Sequence, residues 1–465
     1  MDNSTSDSLY TPESEADFAV SGPETEPEPM PEETSRERAL RRLRIVLAVL
    51  GAGIVLYAVV IAALVMLGWT PKPLPSLLMR AGDEIVHIEE ELVGAVGVAE
   101  KAVVETHIEE WSDAELAAQV CMVMVPARDA ASHIETWTKR NVGAIVLDGV
   151  EVPRDLAAFV GKARRDAPRG VAPLIASNVE GGSRNDMATI AGPLDSAQTF
   201  GTKTPAQIER EVALYAAELA KNDLSLVLGP SADLAMPGCA IAREQRGFSS
   251  NPNETAAAAA AWVRGMESAG IGTVLKHWPG IGGYADVSGP LVAFMPWNEL
   301  EKTHARAFAD AHKAGHPAAV MVGHVVVPGF TEDGTPASTS KRAYDYVREM
   351  TGNDTLLITD NLGIAVRTQN ASANTNAAVA QTAVGALQAG ADLILFAPSP
   401  DAETVVIDAI VRALDSGTLS RSALRASARR VVQVKVSRNL APEFMPLGTN
   451  IKSVSPDTTQ DTPNP

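Results

Sequence analysis

Cysteine is nearly absent: Cys121 and Cys239 are the only two in 465 residues, too few for a disulfide framework. Cys121 lies within an apolar run, which predicts a core position. Excess positive charge is also missing. The net charge is −18 and neither end carries a basic arm, so nucleic acid is excluded as a partner, because phosphate binding needs clustered Lys and Arg. No metal-ligand spacing, phosphate-binding glycine loop or dinucleotide fingerprint is found, and no cofactor or metal is expected. The segment Gly280-Ile281-Gly282-Gly283 superficially suggests a phosphate loop, but no Lys-Ser/Thr pair or helix pattern follows it.

One long stretch lacks charge altogether. Ile45 to Trp69 is uncharged and apolar, long enough for the ~20 residues that span a bilayer as a helix. A cleaved signal peptide fits less well, because the run is too long and follows an acidic leader. Arginines 36, 38, 41, 42 and 44 precede the run, and only Lys72 and Arg80 lie close behind it. The positive-inside rule then places the N-terminus in the cytoplasm and everything after Trp69 outside, as a single-pass protein of the cell membrane. Residues 1–44, rich in Glu, Pro, Ser and Thr up to Glu33, cannot offset their ordering entropy and are expected to be disordered. After Asn439 the Pro, Thr and Asp content rises, and 441–465 is the expected disordered C-terminal tail.

Residues 70–110 read as a Pro-rich linker and a helical stalk. Ile85, Ile88, Leu92, Ala95, Ala99 and Ala102 form a short heptad-like seam, half of it alanine. A spacer or a helix packed on the main domain suits it better than a coiled-coil dimer. The sequence leaves the oligomeric state open.

Between about 111 and 440 the pattern changes to strand–helix alternation. Apolar runs at Val120–Val125, Gly143–Leu147, Pro173–Ala176, Ser225–Leu228, Gly272–Leu275, Ala318–Val322, Thr355–Ile358 and Asp392–Phe396 read as strands. Helical periodicity covers Pro205–Lys221, Asn253–Ala269, Glu299–Gly315, Lys341–Met350, Asn376–Ala389, Ala402–Ser416 and Arg421–Ser437. Eight strands separated by helices predict an α/β fold, a (β/α)8 TIM-type barrel.

Barrels of this kind carry function at the C-terminal ends of their strands. The polar residues that end the runs are therefore the candidates: Asn178 and Glu180 after strand three, Lys276 and His277 after strand five, His324 after strand six and Asp360 after strand seven. His324 follows directly on an apolar strand and reads as a hydrogen-bonded core histidine. Asp360 precedes a helix pattern and could also be a cap. Asp233 and Asp392 sit at comparable run ends and are read as structural.

Several motifs recur in a known order. Lys276-His277-Trp278-Pro279-Gly280 resembles KHFPG, Asn178-Val179-Glu180-Gly181-Gly182 resembles DQEGG, and Arg246-Gly247-Phe248 resembles RSF. Pro336-Ala337-Ser338-Thr339-Ser340 resembles PASLS, Thr359-Asp360-Asn361-Leu362 resembles TDDL, and Ala389-Gly390-Ala391-Asp392 is AGAD. Together they resemble glycoside hydrolase family 3, in its single-domain β-N-acetylglucosaminidase branch. The resemblance implies a retaining glycosidase of cell-wall amino sugars such as those of peptidoglycan. It implies Asp360 as nucleophile, and Lys276, His277, Arg246, Asn178 and Glu180 around an N-acetylglucosamine-containing glycan.

The resemblance fails at one loop. The family's KHFPGHG continues to a DSH triplet, whose Asp–His pair is the general acid/base. Here the GHG histidine is Ile281, and DSH reads Val287-Ser288-Gly289. Neither Val287 nor Gly289 can carry a proton. Asp286, one residue away, is the candidate acid/base substitute. Asn178 replaces the first acid of DQEGG, removing a charge-assisted bond to a sugar hydroxyl. Two readings follow: a membrane-anchored glycosidase, or an impaired pseudo-glycosidase that binds wall glycans or a partner protein.

Overall fold

The structure is a computed structural model that describes residues 101–281, 291–293, 295–332, 334–369, 376–397, 402–441 and 444. The acidic leader, the run 45–69, the seam before residue 101, Asp286, Val287, Gly289 and the tail beyond 444 lie outside the described residues. No helix among the described residues is long and apolar enough to cross a membrane.

Eight parallel strands form the barrel: β1 (Cys121–Pro126), β2 (Ala144–Asp148), β3 (Leu174–Gly181), β4 (Leu226–Leu228), β5 (Gly272–Trp278), β6 (Ala319–Val322), β7 (Leu356–Thr359) and β8 (Ile394–Phe396). Their order is β7-β6-β5-β4-β3-β2-β1-β8. The cylinder closes between β7 and β8: Asp392 N–H donates to Leu357 O at 2.8 Å and Thr359 N–H to Leu393 O at 3.1 Å. All eight predicted runs are strands, with ends shifted by a few residues.

Alternation along each strand separates two cores. Met122, Ala144, Val146, Leu174, Ala176, Leu226, Val274, Met321 and Ile358 fill the barrel interior. Their neighbours Val123, Ile145, Leu147, Ile175 and Val320 face outward against the helices. Both faces are buried, so the strands read as continuous apolar runs.

The helices are α1 (Asp113–Gln119), α2 (Ala130–Lys139), α3 (Leu156–Asp166), α4 (Pro205–Lys221), α5 (Pro252–Glu267), α6 (Arg306–Gly315), α7 (Lys341–Thr351), α8 (Leu362–Gln369), α9 (Asn376–Ala389), α10 (Ala402–Asp415) and α11 (Arg421–Ser437). Their starts follow local chemistry. Ser112 and Thr204 form capping boxes with Glu115 and Gln207, and Asn251, Ser340 and Ser420 cap α5, α7 and α11. The predicted helix Glu299–Gly315 differs from the observed one. A turn at Trp297–Leu300 passes through a widened π segment, Glu301–Ala305, before α6. Such a segment shifts the side-chain phase locally. Here His304 and Ala305 are buried.

The floor of the barrel is closed by α11. Val431 and Val434 pack into the interior core. Helical residues 101–109 pack beside it, with Val104 and Ile108 fully buried. Arg425 and Arg429 pair with Glu105 across this contact. The expected seam is not the contact face where it can be seen: Ala102 is exposed, and Val104 and Ile108 do the packing. Cys121 and Cys239 are both buried and free.

Candidate active site

Six strands, β2 to β7, and their loops bring side chains to the C-terminal rim. The end of β5 departs from regular pairing. Leu275 pairs with Val320, but Trp278 pairs with Val322, so three steps on β5 match two on β6. This bulge re-aims the strand where Lys276 and His277 lie. Both are nearly inaccessible, at 3% and 6% exposure, and the chain after β4 closes on them through Lys276 N–H to Pro230 O at 3.1 Å.

Glu180 is the hub of the first cluster. Arg246 donates to it through Nε and a terminal nitrogen, both at 2.9 Å, and the Lys276 Nζ reaches its Oε1 at 2.6 Å. Burial pushes the Glu180 carboxyl up, but Lys276 and Arg246 outweigh it and hold the group at about 2. Burial lowers the Lys276 amine against the pull of Glu180. Two cations surround one anion, so the cluster has surplus donors to offer. Gly181, at φ +92°, turns the chain straight after Glu180, and a Cβ there would strike the Asp195 carbonyl.

The second cluster is built on Asp233, which is fully buried. Its Oδ2 accepts from Ser231 Oγ at 2.9 Å, from His277 N at 3.2 Å and from His277 Nδ1 at 2.7 Å; its Oδ1 accepts from Ile281 N at 2.7 Å. Burial would raise this carboxyl, but His277 and these hydrogen bonds keep it low.

Asp360 follows β7, with its backbone N–H tied to Val322 O at 3.0 Å. Its Oδ1 accepts the Asn361 N–H at 2.7 Å, at the start of α8. Burial pushes its carboxyl up; His324, His277, the Asn361 N–H and Lys276 pull it down further, so the group is ionised. The cap at α8 is supplied by Asn361, whose Oδ1 accepts from Gly363 N at 2.9 Å. Asp360 is therefore free of that task. His324 has both ring nitrogens engaged: Ser338 Oγ lies 2.7 Å from Nδ1, and Asn361 O lies 2.8 Å from Nε2. The Asn361 carbonyl can only accept, so Nε2 carries a proton, while burial lowers the proton affinity of the ring against the pull of Asp360.

Asn178 sits apart, on the β2 side of the rim. Its amide nitrogen lies 3.4 Å from Asp148 Oδ1 and 3.2 Å from Asp186 Oδ2. Desolvation and Asp186 raise the Asp148 carboxyl. Asp148 ends β2 directly after a predicted run, so the strand-end rule could have found it; Asp186 carries no such signal. Asp392, read as structural, is buried in an ion-pair network as such a role requires, but its place in the barrel differs from the expected strand end. It precedes β8 and lies at the N-terminal end of the barrel, where Arg348 (2.6 Å) and Arg430 (2.8 Å) pair with it. No group of three or more His, Cys, Asp or Glu suited to a metal occurs among the described residues.

Residues 114–434 match the glycosyl hydrolase family 3 N-terminal domain. The chain belongs to this family. The β-hexosaminidase LpqI of Mycobacterium tuberculosis is 30% identical over 324 residues, spanning 68% of this chain and 81% of that protein. A family 3 glycosyl hydrolase from Mycobacterium smegmatis superimposes with a TM-score of 0.60 at 26% identity, covering 70% of this chain and 97% of the other. A family 3 β-N-acetylglucosaminidase from Paenibacillus gives a TM-score of 0.64 at 23% identity, covering 71% and 63%, and bears on the fold alone. Membership of the family and these relatives place the chain among the glycosidases, hydrolases of O-glycosidic bonds.

Proposed function

We propose that this chain hydrolyses β-linked N-acetylglucosamine-containing glycans of the cell-wall type, with Asp360 as the nucleophile of a retaining mechanism. The observation that carries the reading is the ionised Asp360 carboxylate at the same rim as Lys276 and His277. Attack by Asp360 at the anomeric carbon forms a glycosyl-enzyme ester and expels the leaving oxygen; water then cleaves the ester. Lys276 and Arg246 donate hydrogen bonds to sugar hydroxyls, with Glu180 fixing both, and Asn178 contacts the glycan from the β2 side. Asp286 is the candidate proton donor.

Replacement of the acid/base pair by Val287 and Gly289 favours a second reading, in which the mouth binds glycan without turning it over. Loss of general acid catalysis alone lowers rates by about 10²- to 10⁴-fold. The test uses an aryl N-acetyl-β-glucosaminide, whose leaving group needs little protonation. Cleavage that is lost in Asp360→Asn supports the enzyme. Sugar binding without cleavage supports the second reading, and absence of both refutes each of them.

The run Ile45–Trp69 supports a further part of the proposal: a single-pass anchor with the barrel on the extracytoplasmic side. The protein should stay in the membrane pellet after alkaline carbonate extraction, and protease added to spheroplasts should remove the barrel. Release by carbonate would overturn the anchor.

A further inference from the structure

His277 and Asp233 lie on neighbouring strand ends, and their contact does more than fill space. Asp233 is fully buried and held ionised, so its Oδ2 can only accept. The His277 nitrogen 2.7 Å away is Nδ1, and this nitrogen must therefore carry the proton. The ring's other nitrogen, Nε2, has no hydrogen-bond partner among the described residues.

The groups facing Asp233 from each packed element agree with this assignment. Ser231 donates from its own segment, and Ile281 donates from the turn after β5. From the π segment comes His304, which burial keeps neutral and whose Nδ1 is buried without a hydrogen-bond partner. Glu180, Arg246 and Lys276 satisfy one another next door. Asp233 is left with His277 as its single ring partner.

We propose that Asp233 is a positioning residue that sets the His277 tautomer, so that Nε2 meets the glycan as a hydrogen-bond acceptor while Lys276 beside it acts as a donor. The proposal rests on the glycan-binding reading of this mouth. The two adjacent side chains then read opposite halves of a sugar hydroxyl pattern: one needs an oxygen, the other needs an O–H. A deoxyfluoro sugar keeps the acceptor and loses the donor, so His277 is the residue that would reject it.

The test has two arms on the full-length protein. The first records long-range ¹H–¹⁵N spectra of the histidine rings at pH 8, with the His277 signals assigned by their loss in His277→Asn. The expected spectrum shows His277 protonated on Nδ1; protonation on Nε2 overturns the proposal without any variant having to fold. The second measures binding of N-acetylglucosamine and its deoxyfluoro analogues to the wild type and to Asp233→Asn, whose amide can donate to Nδ1 and drive the proton to Nε2. One analogue should bind the wild type about 3- to 10-fold more weakly than the parent sugar, the size of one hydrogen bond, and that gap should close in Asp233→Asn. An unchanged gap in a folded Asp233→Asn also overturns it. Failure of the wild type to bind any of these sugars sinks the glycan reading and, with it, the role of Nε2; the ring spectrum separately tests whether Asp233 sets the tautomer.

Discussion

At the mouth of the barrel, the Glu180 carboxylate is shared between Arg246 and Lys276; at the floor, Lys435 is equally inaccessible and among the described residues has only the amide oxygen of Gln119, 2.8 Å away. Both ends bury charged side chains in a low-dielectric interior, where an uncompensated charge is strongly disfavoured. The mouth answers with opposite charge, which keeps the Glu180 carboxylate and the Arg246 guanidinium ionised. The floor answers by shifting the proton: burial alone lowers the Lys435 amine to about 7. Gln119 cannot add much, because its own amide nitrogen is committed to Asn141. The mouth charges are placed where they can meet a ligand, whereas nothing on the floor uses the lysine's charge. One region offsets burial by pairing opposite charges; the other gives its charge up as pH rises.

Removing the hub should produce the larger effect. Glu180→Gln leaves Arg246 and Lys276 side by side without their shared anion. Breaking a buried pair in this way costs about 3–5 kcal/mol, so a large fall in melting temperature is expected, together with loss of N-acetylglucosamine binding by calorimetry. The same cluster sets an acid limit. The folded carboxyl is depressed to about 2 from its ordinary 4.5. Its contribution to stability is therefore complete above about pH 4.5 and is lost as pH falls from there towards 2. In Glu180→Gln that stretch of the acid-unfolding curve should flatten. A variant as stable as the wild type would mean that the mouth charges do not depend on one another.

The floor should respond with the opposite sign. Lys435→Met replaces an isolated buried amine with an apolar side chain of similar length, and stabilisation of roughly 2–4 kcal/mol is expected at pH 6. The pH dependence follows from linkage. The folded amine titrates near 7 and the unfolded one near 10.5, so between these values the unfolded chain binds more protons and wild-type stability rises with pH. Below pH 7 the burial penalty is fully present, and by about pH 10.5 it is gone. The gain in Lys435→Met should shrink over that window, as chemical denaturation at pH 6, 8 and 10 would reveal. A gain that is constant with pH would show that packing, not charge, is what the substitution changes.

How far this contrast was legible in the sequence differs between the two ends. The eight strands could be read because both faces of a closed parallel sheet are buried, which leaves unbroken runs such as Cys121–Val125. Helix starts were visible where Thr204-Pro205 and Ser420 stand before the periodic residues. At the mouth, Glu180, Lys276, His277 and Asp360 could be located because strand ends point to the same rim. Three features could not. The bulge at Lys276–His277 depends on β6 being one residue shorter across the same span. The π segment at Glu301–Ala305 keeps an ordinary helical composition and shows itself only in the phase of His304. At the floor, Lys435 looks like a routine basic residue in the last turn of a helix; its isolation depends on α1 and α11 meeting beneath the barrel. Asp392 shows the related ambiguity, since a polar residue beside an apolar run marks function only when it follows the strand.

The smallest effect expected lies just beneath the mouth, where backbone shape rather than charge maintains the site. Gly280 has φ +118°, and a Cβ built on it would come 2.7 Å from the His304 Cβ and 2.8 Å from its Nδ1. Gly280→Ala therefore meets two penalties, a conformation that residues with a Cβ rarely adopt and a clash with a buried ring, together about 1–3 kcal/mol. They can be separated. In His304→Ala the ring is gone, so adding Gly280→Ala should cost only the conformational part, on the order of 1 kcal/mol. The turn at Gly280 leads to the Ile281 N–H that Asp233 holds, so the single variant should also weaken sugar binding, and the double variant should recover part of it. Equal costs of Gly280→Ala in both backgrounds would assign the whole penalty to the turn and leave His304 as simple filling behind Asp233.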